Sequence, residues 1–206
     1  MSAPLPRSRI MSSTVMHWVG RFFFWLGGWK VVGRRPEVAK YVVIAAPHTT
    51  NWDGLWFFAA GCILRMEVCF LGKHSLFVGP LGWLLRGMGG IPLDRSRRQN
   101  TVSQAVDWFR RADRLCFGVA PEGTRKWTPG WKTGFYHVAR EAGVPIYLSY
   151  ADYAKKEAGL LPEPLYPSGD LEADFARLRA IYEPIVAGRP ENKGPIVPLT
   201  PAAPRD

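Results

Sequence analysis

The residues best placed to do chemistry are His48 and Asp53, in Ala46-Pro47-His48-Thr49-Thr50-Asn51-Trp52-Asp53. An apolar run, Tyr41-Val42-Val43-Ile44-Ala45, leads directly into them, and its β-branched residues ending at a proline read as a buried strand. The stretch after it, Trp52 to Leu64, reads as a helix. The histidine thus falls just beyond a strand's C-terminal end, and the carboxylate falls in the first turn of the following helix. An imidazole held by a carboxylate can remove a proton from a hydroxyl group. A second segment repeats the layout: Leu115-Cys116-Phe117-Gly118-Val119-Ala120 reads as a strand, and Pro121-Glu122-Gly123-Thr124-Arg125 follows it. If both strands belong to one parallel sheet, His48, Asp53, Glu122 and Arg125 share a rim, and such rims are where open α/β sheets bind ligands.

Each residue has a chemistry and a plainer alternative. Arg125 has a planar fork suited to two phosphate oxygens at once, and it could equally form a structural pair with Glu122. Glu122 could order Arg125 or accept a hydrogen bond from a substrate hydroxyl. Gly123 permits a tight turn and close approach of the backbone to a ligand. Lys73 could add a point charge. A histidine at a strand end can be merely structural, and a carboxylate in a first helical turn is favoured by the helix dipole alone. His74 and His137 have no partner at motif spacing and read as structural.

His48 and Asp53 resemble the HxxxxD motif of the glycerolipid acyltransferases, the lysophosphatidate acyltransferase-like superfamily, and Glu122-Gly123-Thr124-Arg125 matches its EGTR motif. Gly72-Lys73 with Gly89-Gly90-Ile91-Pro92-Leu93-Asp94-Arg95 looks like the second block of that family, and Val144-Pro145-Ile146 like the fourth. The blocks come in family order and span roughly residues 40 to 150. The resemblance implies His48 and Asp53 as the catalytic pair, and Glu122, Gly123, Thr124, Arg125, Lys73 and Arg95 as substrate-binding residues. It also implies acyl transfer from a thioester, acyl-CoA or acyl-ACP, to a lipid hydroxyl. Such a donor is already activated, so neither a protein nucleophile nor a cofactor or metal is expected. Two departures point to a divergent subfamily. The fourth block continues as the polar stretch Tyr147-Leu148-Ser149-Tyr150-Ala151-Asp152-Tyr153-Ala154-Lys155-Lys156, and Pro47 stands where many members have Asn.

The chain has 206 residues and a formal net charge of +10, which suits anionic partners. Residues 1–40 hold seven Lys and Arg against Glu37 alone. Within them, Trp18, Phe22, Phe23, Phe24, Trp25 and Trp29 are interleaved with Arg21 and Lys30, a pattern for a helix lying in a lipid interface. The same stretch makes a poor membrane span, because it carries His17, Arg21 and Lys30 and a Gly27-Gly28 break. The alternative is a helix covering the domain's own core. No nucleic-acid motif is visible, so none is expected as partner. Cys62, Cys69 and Cys116 each lie in apolar surroundings without metal-ligand spacing and read as buried free thiols.

Alternating strand and helix patterns predict a single α/β domain, with a central mostly parallel or mixed sheet flanked by helices and an N-terminal interfacial helix. The predicted helices are 14–26, 52–65, 76–87, 99–113 and 131–142; the predicted strands are 40–46, 67–71, 90–93, 115–120 and 144–149. A helical stripe runs from Leu171 to Ile185. Residues 1–35 are expected to dock on membrane, 36–187 to form the acyltransferase domain, and 188–206 to form a loose tail; residues 1–12 are expected to be disordered. The resulting expectation is a peripheral or monotopic enzyme at the cytoplasmic face of an anionic membrane, acylating a lysophospholipid such as 1-acylglycerol-3-phosphate. An ornithine- or sugar-based lipid acceptor, or a catalytically inactive lipid-binding protein, are the alternatives.

Overall fold

The computed structural model describes Ser8, residues 10–93 and residues 101–199. Six helices flank one seven-stranded sheet: α1 (Thr14–Gly27), β1 (Lys30–Val32), β2 (Lys40–Ala45), α2 (Asn51–Ile63), β3 (Val68–Lys73), α3 (Gly79–Gly87), β4 (Gly90–Leu93), α4 (Thr101–Arg111), β5 (Leu115–Val119), α5 (Gly134–Ala142), β6 (Ile146–Asp152), β7 (Glu157–Leu160) and α6 (Leu171–Tyr182). The strand order is β1-β7-β6-β2-β5-β3-β4. The five strands from β6 to β4 are parallel, whereas β7 runs antiparallel to β6 and β1 follows β7.

This topology places the site. From β2 the chain leaves through α2 toward β3 on one side, and from β5 it leaves through α5 toward β6 on the other. The neighbouring C-terminal ends of β2 and β5 therefore form a topological switch point, where the diverging connections open a crevice. Each strand is buried because each is an apolar run: β2 shows Tyr41, Val42, Val43 and Ile44 all at 5% exposure or less.

The larger core lies on the face covered by α4, α5 and α6, with Trp108, Phe117, Tyr136, Leu148, Phe175 and Tyr182 at its centre. On the opposite face α1 packs on α2. His17, Gly20, Phe24 and Gly27 form the inward stripe, at helical spacing. Gly20 permits the contact, since a Cβ there would come within 2.7 Å of the Ala59 carbonyl oxygen. His17 Nδ1 is 2.9 Å from the Ile63 carbonyl oxygen near the end of α2. The inward face therefore covers the domain's own core, while the outward face carries Val15, Trp18, Phe22, Trp25 and Leu26, all exposed.

Several expectations are corrected. The helix predicted over 76–87 is a 3-10 turn at His74–Leu76 followed, after Phe77 and Val78, by α3, which opens with Gly79 at φ +62° and Pro80. The helix predicted from 131 begins at Gly134, because Trp131 is held in a bridge with Pro198 and its carbonyl accepts the Leu199 N–H at 2.8 Å instead of a helical one. Strands β1 and β7 had no prediction: one has three residues, and Glu157-Ala158-Gly159-Leu160 has no β-branched residue. The segment expected as a loose tail is anchored as far as residue 199. Trp131 pairs with Pro198, Ile196 is buried, and the Arg189 N–H donates to Thr49 Oγ1 at 3.1 Å. Of residues 1–12, expected to be disordered, Ser8 Oγ donates to the Met88 carbonyl and Met11 is 1% exposed against α2. The three cysteines are buried free thiols, and burial pushes Cys62 up to about 11 and Cys69 up to about 12.

Candidate active site

The connection from β2 to α2 contains a cis Ala46–Pro47 peptide and then His48. Thr50 caps α2. Its hydroxyl accepts the Asp53 N–H, and Asp53 in turn accepts the Thr50 N–H at 2.7 Å, a reciprocal capping box. Asp53 Oδ2 also accepts the Thr49 N–H, and Oδ1 accepts the Thr50 hydroxyl at 2.9 Å and the Tyr153 hydroxyl at 2.6 Å. The carboxylate is fully buried. Five donors offset the desolvation of its charge. The residue that starts the helix is thus also the one that faces His48.

His48 Nδ1 lies 3.7 Å from Asp53 Oδ2, with the imidazole 23% exposed and Asp53 at 0%. That distance is beyond a made hydrogen bond, and among the described residues Nδ1 has no hydrogen-bond partner. Burial holds the imidazole below its ordinary titration point; Asp53 pulls it back up and Arg125 pushes it down. His48 is therefore the free base at neutral pH, as proton abstraction requires.

Glu122 reaches the same point from β5. Its Oε1 accepts the His48 backbone N–H at 3.0 Å, so it fixes the loop that carries the base. Burial pushes its carboxyl up to about 7, the bonds from backbone N–H groups lower it, and Asp53 raises it further. Gly123 follows at φ +64°, with Lys132 folded across it so closely that a Cβ would lie 2.6 Å from Nζ. Thr124 and Arg125 are exposed, and Arg125 Nη1 bonds Asn51 Oδ1 at the start of α2. The Glu122–Arg125 pair allowed by the sequence does not form: Glu122 Oε1 accepts the His48 N–H, Oε2 is buried without a hydrogen-bond partner among the described residues, and Arg125 is bonded to Asn51. His48, Asp53, Glu122 and Arg125 do meet on one rim. Lys73 ends β3 on that rim, though its side chain lies outside the described residues, as does all of Arg95. Thr49, Thr50, Asn51 and Tyr153 also belong to this site, although no motif in the sequence marks them. For Tyr153 the available signal was the unusually polar fourth block.

The raised Glu122 carboxyl has a stability consequence. The folded chain holds this proton up to about pH 7, whereas the unfolded chain releases it near 4.5. The folded state binds more protons in that window, so stability falls as pH rises through it. The total is on the order of 3 kcal/mol, complete above the folded value. Glu122→Gln keeps an acceptor for the His48 N–H and removes the titration. Urea unfolding from about pH 5 to about pH 8 is expected to show the variant gaining on the wild type as pH rises. A difference independent of pH would overturn this.

An apolar cavity of about 280 Å³ opens beside His48. Gly54, Phe57, Phe58, Gly61 and Leu64 line it on one side, so it follows α2 from its first turn to its C-terminal end, a rise of about 15 Å. Val43, Val68 and Gly118 form the sheet side, and Met11 and Met66 also contribute.

A sequence profile of the acyltransferase family matches residues 29–148. The chain belongs to the acyltransferase family. Among curated relatives, the 1-acyl-sn-glycerol-3-phosphate acyltransferase of Escherichia coli (strain K12) is 34% identical over 154 residues, covering 68% of this chain and 60% of the relative. The protein of the same name from Saccharomyces cerevisiae is 32% identical over 126 residues, covering 57% of this chain and 40% of the relative. The chain thus spans about three fifths of the length of the bacterial relative. Among solved structures, the 1-acyl-sn-glycerophosphate (LPA) acyltransferase PlsC from Thermotoga maritima superposes with a TM-score of 0.57 at 19% identity, covering 82% of this chain and 76% of that one. At that identity the likeness is one of fold, and it extends the acyltransferase α/β architecture to this chain.

Proposed function

We propose that the chain transfers a fatty acyl group from a thioester, acyl-CoA or acyl-ACP, to a free hydroxyl of a lysophospholipid such as 1-acylglycerol-3-phosphate, working at a lipid surface. The observation that carries this reading is the free-base His48 beside buried Asp53, at the mouth of an apolar cavity. Nδ1 is the nitrogen near Asp53, so Nε2 is left for the acceptor. Nε2 takes the hydroxyl proton as the acceptor oxygen attacks the thioester carbonyl. The tetrahedral intermediate then collapses, breaking the C–S bond, and the leaving sulfur takes the proton back from the imidazolium. Asp53 orients the ring and stabilises its transient charge. Each methylene of the acyl chain buried in the cavity contributes about 0.8 kcal/mol, which favours a long apolar donor over a short one. The acceptor's phosphate is assigned to Arg125, and the names of the curated relatives are consistent with such an acceptor.

Lipid docking is assigned to the outward face of α1, where Trp18, Phe22 and Trp25 are 63%, 55% and 75% exposed. Arg21 lies over the Trp18 ring, and exposed Lys30, Arg34 and Arg35 follow, a basic flank that suits anionic headgroups. Among the described residues no helix is long and apolar enough to cross a membrane, and the surface fits a helix lying in the interface. The test combines two measurements on the purified chain. One follows transfer of radiolabelled palmitate from palmitoyl-CoA or palmitoyl-ACP to lysophosphatidate. The other follows sedimentation with phosphatidylglycerol-containing vesicles. Replacing Trp18, Phe22 and Trp25 together by Ser is expected to cut vesicle binding at least about tenfold and leave thermal stability near wild type, because these side chains pack on nothing in the core. Undiminished sedimentation would remove the docking role, and no transfer to lysophosphatidate from either donor would remove the acceptor assignment.

A further inference from the structure

Tyr153 stands in the turn joining β6 to β7, inside the fourth-block stretch that departs from the family pattern. It is 100 residues from Asp53 in sequence, yet its hydroxyl donates to Asp53 Oδ1 at 2.6 Å. The ring is held on several sides. Its edge meets Trp29 at 5.0 Å between centroids, Trp29 stacks on Trp56 of α2 at 4.3 Å, and Gly188 lies against the phenol. The Tyr153 backbone N–H donates to the Val186 carbonyl at 3.0 Å. The hydroxyl therefore has little freedom to leave the carboxylate. The two carboxylate oxygens divide their work: Oδ2 takes the Thr49 and Thr50 N–H groups and faces His48, while Oδ1 takes the Thr50 and Tyr153 hydroxyls.

We propose that Tyr153 is a positioning residue for the acyl transfer, clamping Oδ1 so that Oδ2 of Asp53 stays turned toward His48. The role rests on the acyltransferase reading above, but part of its signature needs no substrate. Without the hydroxyl on Oδ1 the carboxylate is free to turn Oδ2 away from the ring, so its loss leaves the His48 imidazolium less supported. Charge-assisted hydrogen bonds of this length are the strong ones.

The test uses Tyr153→Phe, which keeps the ring and its packing and removes only the hydroxyl. The His48 Cε1–H resonance, assigned by its absence in a His48→Asn protein, is followed through a pH titration of wild type and variant. Turnover is measured with palmitoyl-CoA and lysophosphatidate across the same range. The His48 midpoint and the acid limb of kcat are expected to move downward together, because Asp53 is what raises the imidazole. The kcat is expected to fall about tenfold, as for removal of one hydrogen bond to a charged group, with both KM values within about twofold. In an Asp53→Asn background the same Tyr153→Phe change is expected to cost less than about twofold, because the two act as one unit. An unmoved His48 midpoint overturns the proposal, and so does an equal loss of kcat in both backgrounds; either leaves Tyr153 a packing residue. If His48 shifts as expected while wild type fails to acylate lysophosphatidate, the acceptor reading falls and the positioning role stands.

Discussion

A His48→Ala protein is expected to fold like wild type and to transfer acyl chains at least about a hundredfold more slowly, since a positioned base contributes roughly 10² to 10⁴ in rate. Folding should survive because the imidazole makes no hydrogen bond that the fold depends on. Among the described residues its Nδ1 has no hydrogen-bond partner, and the bond that secures this loop, from the His48 backbone N–H to Glu122, does not involve the side chain. The loss should fall on kcat with both KM values little changed, because the proton is in motion only in the transition state. Wild-type kcat should rise with pH through a midpoint below the ordinary imidazole value of 6.5, because burial favours the neutral ring that must accept the proton. Circular dichroism and a thermal melt check the fold, and a discontinuous transfer assay checks the rate. Wild-type-like turnover in the folded variant would remove His48 from the mechanism.

The core of this site was legible because it is local. The apolar runs of β2 and β5 are short, β-branched or buried, and each ends in the residues that do the chemistry. Their pairing in register, Val42 with Phe117 and Ile44 with Val119, follows from their being neighbours in a parallel sheet. What sequence patterns could not supply are the contacts made across long separations. Tyr153 meets Asp53 through a hairpin whose second strand has no β-branched residue. The Arg189 N–H and Asn192 side chain reach Thr49 from a Pro- and Gly-rich segment that has no periodicity to read. Glu122 falls on the expected rim, but its bond to the His48 backbone N–H, made across 74 residues, has no signal in the sequence. The N-terminal helix shows the same division: its aromatic content is plain from the sequence, whereas the inward stripe of His17, Gly20, Phe24 and Gly27 is defined only by where α2 lies.

Arg125→Ala is expected to raise the KM for a phosphate-bearing acceptor by about tenfold to a hundredfold, the equivalent of about 1.5–3 kcal/mol for a lost hydrogen bond to a charged group. The guanidinium is exposed, its Nη1 is bonded to Asn51 at the start of α2, and among the described residues it has no carboxylate partner. An anion bound there would sit near the positive end of α2, which favours it. The Asn51 contact also fixes the direction of the fork, so Arg125→Lys, which keeps the charge and loses the planar bidentate geometry, should recover only part of the affinity. If phosphate is the group bound, the ground state and transition state feel it alike, so kcat should change little and the donor KM should stay put. The sharpest reading comes from comparing lysophosphatidate with monoacylglycerol, its phosphate-free counterpart. Wild type should prefer the former, and Arg125→Ala should erase most of that preference. A raised donor KM with an unchanged acceptor KM would instead move Arg125 to the side of the site that holds the carrier's phosphates.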